Sequence, residues 1–118
     1  MQIIRIPKDL PDFIQTIQLD DGHASYPVRI HLRWNDRLGD SGMWIISFYK
    51  TTGEALRIGI PLVAGMNLTS RLGIPELGKG HLYCFHVDET IKAVSREDLY
   101  NQTAKLYYLE DSEYDSLT

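Results

Sequence analysis

No second cysteine accompanies Cys84, so an intrachain disulfide is excluded and folding in a reducing compartment is expected. Long hydrophobic runs are missing as well. No apolar stretch approaches the roughly 18 residues that a membrane-spanning helix needs, and no membrane partner is expected. The start "MQIIRIPKDLPDF" reaches charges and two prolines too early for a secretory signal peptide. Basic excess is the third absence: 12 Lys and Arg stand against 16 Asp and Glu, a formal net charge of −4. Nonspecific nucleic-acid binding draws its affinity from clustered cations on phosphates, so specific nucleic-acid partners are not expected either.

The motifs of chemistry are equally scarce. No serine sits in a G-x-S-x-G elbow, and Cys84 falls in the middle of a strand-like run without a glycine turn to expose it. "GIPELGKGH" has glycines but lacks the Lys-Ser/Thr ending of a phosphate loop. Cys84 and His86 share a strand face, yet a structural zinc site takes about four ligands, and His23, His31 and His81 show no supporting spacing. Catalytic residues, cofactors and metals are therefore not expected.

What is present is β-structure. At 118 residues the chain is read as one domain, 1–118, with the acidic stretch 111–118 as a flexible tail. Strand-like runs cover Gln2 to Ile6, Phe13 to Leu19, Tyr26 to Trp34, Met43 to Tyr49, Ala55 to Ile60, His81 to Val87 and Ala104 to Glu110. Tyr26 to Trp34 alternates cleanly, with Tyr26, Val28, Ile30, Leu32 and Trp34 on the face expected to be core. Met43 to Tyr49 is apolar at both parities, as in a strand covered on both sides. "PLVAG" suggests one or two further strands, with Pro61 at an edge or bend. Pro7 and Pro11 bracket a turn, and "KTTGE" reads as another, with Gly53 free to take positive φ. The stretch from Met66 to Gly80 reads as loop with room for one short strand. "SREDLYN" places Ser95 three residues before Asp98, the pattern of an N-cap for one short helix. The fold class is all-β: a small barrel or sandwich of about seven or eight short antiparallel strands, with at most one short helix.

Two features suggest contact with other molecules. Arg29, His31 and Arg33 form a basic stripe on the wet face of one strand, continued by Asn35 and Arg37 in the loop that follows. Such a stripe reads either as a solvated strand face or, since Arg suits forked contacts with carboxylates, as a docking surface for an acidic partner. Tyr83, Tyr100, Tyr107, Tyr108 and Tyr114 crowd the C-terminal third, and the adjacent pair Tyr107–Tyr108 must place one ring on each face of its strand. Asp36 and Asp40 resemble paired carboxylates, but Asp and Gly in "NDRLGDSG" are the chemistry of a wide turn.

The ordered set "IPKDLPDFIQTIQLDDG", "YPVRIHLRWNDRLGDSGMWIISFY" and "TGEALRIGIPLVAGMNL", closed by "SRLG", resembles the small baseplate plug proteins of tailed bacteriophages. The match is carried by Ile6 and Pro7, by Leu32 to Asn35, by Trp44, Ser47 and Tyr49, and by Gly59, Ile60, Leu62 and Val63. The hairpins "DDGHASYP" and "RLGDSGMW" are longer here than is usual in that family. The resemblance implies a structural, non-enzymatic role in the virion, in a tail baseplate assembled from proteins folded in the host bacterial cytoplasm. It implies partners among hub, spike, tube or wedge proteins and several symmetric copies, three or six, around the tail axis. Arg29, His31, Arg33, Asn35, Arg37, Tyr107 and Tyr108 are then the partner-contact candidates. The rival reading is a small β-barrel that binds a ligand or single-stranded nucleic acid on an aromatic strand face made by Tyr83, Phe85 and Tyr107. A hydrolase using Asp36, Asp40 or Glu54 is a third.

Overall fold

The computed structural model describes residues 2–4, 12–20, 24–37, 42–65, 67–69, 80–88 and 90–109. Among these the elements are β1 (Gln2–Ile4), β2 (Asp12–Asp20), β3 (Ser25–Asn35), β4 (Met43–Tyr49), β5 (Ala55–Pro61), β6 (His81–His86), α1 (Asp98–Asn101) and β7 (Ala104–Leu109). The turn between Pro7 and Pro11, the centre of the 35–42 loop, most of 66–80 and the tail 111–118 lie outside the described residues.

Two antiparallel sheets share one core. β2-β3-β4-β5 form a meander of four strands, and β1-β7-β6 form a sheet of three. The all-β expectation is met, in a sandwich-like form. The alternation of β3 decides its orientation: Val28, Ile30 and Leu32 are fully buried, Tyr26 and Trp34 pack against the core, and Arg29 and Arg33 stay exposed. Trp44, Ile46 and Phe48 join them from β4. From the other sheet come Ile4, Leu82, Cys84, Leu106 and Tyr108. A chain this small depends on such mutual cover, because neither sheet alone removes enough apolar surface from water.

β4 exposes none of its residues: Trp44, Ile46 and Phe48 are buried, and Met43, Ile45 and Tyr49, of the opposite parity, are partly buried. Ser47, on the same side as those three, is buried and accepts the Gly59 N–H at 3.0 Å, where the β4–β5 register slips. Two local expectations change. "PLVAG" makes no full strand. Leu62 N–H still donates to the Trp44 carbonyl of β4 at 2.9 Å, after which Val63 pairs with Ala93 in a single bridge and Ala64 N–H donates to the Lys92 carbonyl. Ser95 is not the helix cap. Glu97 takes that place, while the Asp98 carboxylate accepts the Ser95 N–H at 2.7 Å, closing a turn ahead of the helix.

Gly42 and Gly53 both hold φ near 98°, the left-handed region that turns require and that glycine enters without a Cβ penalty. No helix among the described residues is long and apolar enough to cross a membrane.

Candidate functional site

The outer face of the four-stranded sheet carries the basic stripe. Antiparallel register sets Asp12 opposite Arg33, Ile14 opposite His31 and Thr16 opposite Arg29. Asp12 therefore sits inside the stripe. Its Oδ1 lies 2.5 Å from His31 Nε2, and its Oδ2 lies 4.0 Å from Arg33 Nε. Ion pairs this exposed hold about 1 kcal/mol at most, so the Arg33 guanidinium stays available to a partner. Ile14 stands 63% exposed beside them, an apolar side chain on a charged face. Asn35 shapes the loop that follows. Its Oδ1 accepts the Arg37 N–H at 3.0 Å, the local bond by which an Asn turns its own backbone. Arg37 is left pointing from that turn at the surface.

The three-stranded sheet presents a different outer face. Register aligns Ile3 with Tyr107 and Tyr107 with Tyr83, and Lys105 with Phe85. Tyr83 and Phe85 stack with centroids 4.9 Å apart, and Phe85 meets Tyr107 edge to face at 5.4 Å. Such ring pairs prefer these offset and perpendicular geometries because the quadrupoles then attract. A groove of ≈ 360 Å³ runs alongside, lined by Ala64, Gly65, Tyr83, Phe85, His86, Ile91 and Lys92. Tyr107 belongs to this surface. Tyr108 does not: it is fully buried, and its hydroxyl accepts the Gly80 N–H at 2.9 Å, which leaves Tyr107 as the member of the pair open to contact.

Cys84 and His86 point inward. The Cys84 thiol is pushed up to about 12, first by burial and then by the negative charge of Asp98, so it is held as an inert thiol. His86 Nδ1 accepts the Asp88 N–H, leaving its Nε2 to face Asp98 at 3.5 Å. Burial pushes the Asp98 carboxyl up, but hydrogen bonds from Ser95 and Thr103 and the nearby His86 outweigh it, and the net direction is down. Among the described residues no cluster of three or more such side chains is arranged to hold a metal.

A family model described as the cyanophage baseplate Pam3 plug gp18 matches residues 1–111. The chain belongs to that family. No curated protein matches it. Membership makes the chain a structural component of a phage tail baseplate, placed in the virion tail and in contact with other baseplate proteins.

The outward placement of the stripe and of Tyr107 follows from the alternation of their strands. Ile3, Lys105, Ile91 and Lys92 join the aromatic face or its groove without a motif in the sequence. Lys105 had a signal, because it lies two residues from Tyr107 and so shares its face. Lys92 had none: it is brought to the groove by an irregular segment held through the Ala64–Lys92 hydrogen bond.

Proposed function

We propose that the chain packs against the central hub and spike of the baseplate and, in several copies around the tail axis, closes the end of the tail tube. The observation that carries this reading is a family match covering nearly the whole chain, 1–111. Nothing in the mechanism requires bond chemistry. Closure comes from buried area and symmetric repetition, and release comes when the surrounding proteins move.

In this reading the outer face of β3 docks the hub. Arg29, Arg33 and Arg37 supply guanidinium forks for carboxylates, His31 and Asp12 fix the stripe's geometry, and Ile14 adds apolar contact. Charge complementarity of this kind fixes register and excludes wrong neighbours more than it adds affinity. The test is Arg33→Glu with Arg37→Glu in assembled tails. The double variant is expected to fold, by circular dichroism, yet to be missing or depleted in purified tails imaged by electron microscopy. Normal occupancy would show that these residues do not dock the hub.

A further inference from the structure

The outer face of the three-stranded sheet combines apolar rings with cations. Strand alternation puts Ile3, Tyr83, Phe85, Lys105 and Tyr107 on it, and no Asp or Glu of β1, β6 or β7 shares that face. Ile3 is half exposed. Lys92 adds a second amine at the mouth of the groove beside Tyr83, Phe85 and Ile91. Neither Lys92 nor Lys105 is ion-paired to another described residue. The next carboxylate along the chain, Asp88, is already engaged by the N–H and hydroxyl of Thr90. By contrast, the stripe on the other sheet contains its own carboxylate, Asp12. In a chain of net charge −4, a face that is aromatic and cationic calls for an acidic polypeptide with an apolar side chain.

The sequence contains such a segment. Residues 110–118 read "EDSEYDSLT": Glu110, Asp111, Glu113 and Asp115 with no Lys or Arg, and Tyr114 among them. We propose that this face binds the acidic segment that follows β7 in a second copy of the chain. Lys92 and Lys105 take its carboxylates, and Tyr114 enters the groove beside Phe85. The direction of β7 favours a second copy as the source. Leu109 pairs with His81, at the end of the sheet opposite the Lys105–Phe85 pair, so β7 itself runs away from the groove. The contact is head to tail, and it closes into a ring where the rotation between copies allows. It goes beyond the hub reading and does not depend on it.

The experiment uses purified full-length chain, without tails, in sedimentation velocity over a concentration series at low and high salt. Wild type is expected to self-associate, less so at high salt. Lys92→Glu with Lys105→Glu is expected to weaken association by about tenfold or more, and Asp111→Lys with Glu113→Lys to do the same. Mixing the two variants restores a heterologous complex, because the first keeps its acidic segment and the second keeps its face. Circular dichroism checks that each is folded. A chain that stays monomeric at every concentration overturns the proposal, as does association that neither reversal weakens, or a mixture that fails to associate. Binding of a fluorescent oligothymidylate that competes with self-association and is lost in the Lys92→Glu, Lys105→Glu variant would also overturn it, in favour of single-stranded nucleic acid. None of these outcomes bears on hub docking, which the tail experiment reads separately.

Discussion

Trp34 and Trp44 face each other across the β3–β4 ladder, their rings 5.6 Å apart and nearly edge to face. Phe13 meets Trp44 edge-on from β2, and the Trp34 indole lies over Gly42, where a Cβ would overlap the ring. The charged loop is thus closed at its base by a ring cluster, and Asn35 begins its turn. Trp44 also reaches out of its own sheet. Its Nε1–H donates to the Ser95 carbonyl at 3.1 Å, across 51 residues of sequence, and Arg96 stands over its ring at 5.5 Å.

That bridge predicts the behaviour of Trp44→Phe. The smaller ring keeps part of the packing and removes the donor, leaving the Ser95 carbonyl without it. A loss of about 1–3 kcal/mol is expected in urea unfolding. A midpoint equal to wild type would show that the link between β4 and the 95–96 turn is idle.

Gly80 and Tyr108 form a second lock. A Cβ on Gly80 would lie 2.5 Å from the Tyr108 ring, which is itself fully buried. Gly80→Ala is expected to cost about 1–3 kcal/mol through overpacking, and Tyr108→Phe about 1 kcal/mol through loss of the hydrogen bond. Thermal melts of both variants check the order; a Gly80→Ala chain as stable as wild type would mean that the segment moves freely away from the ring.

Acid should act partly through Asp98. Its carboxyl is held below its ordinary value of 3.8, so the folded state binds the proton less readily than the unfolded chain. The resulting stability is fully present above that value and is lost as pH falls through the lower, folded one. Urea midpoints measured from about pH 5 downward should therefore decline less steeply for Asp98→Asn than for wild type.

Alkali should act through Cys84. With its thiol raised to about 12 in the fold, the unfolded chain loses that proton first, and stability declines as pH rises above the ordinary value of 9.0. At neutral pH a thiol reagent should label the native chain far more slowly than the chain in denaturant, at the one cysteine present. Rapid labelling of native protein would contradict the buried placement.

Much of this architecture follows from the sequence by itself. Alternation in Tyr26 to Trp34 determined which side of β3 is dry, and the adjacent Tyr107 and Tyr108 had to point oppositely because side chains in a strand alternate. The ordered hairpin motifs determined the family. What the sequence left open was which tyrosine goes inside, and that was decided by packing: the second sheet covers the Tyr108 side of β7, where Gly80 leaves room for the ring. It also left open that Asp12 would temper the basic stripe, that Trp44 would find Ser95, and that Lys92 would arrive beside Phe85. Period-two patterning is a local property and can be read from neighbours along the chain. Register between strands and contacts through irregular segments join residues far apart in sequence, and only the closing of the two sheets onto one core brings them together.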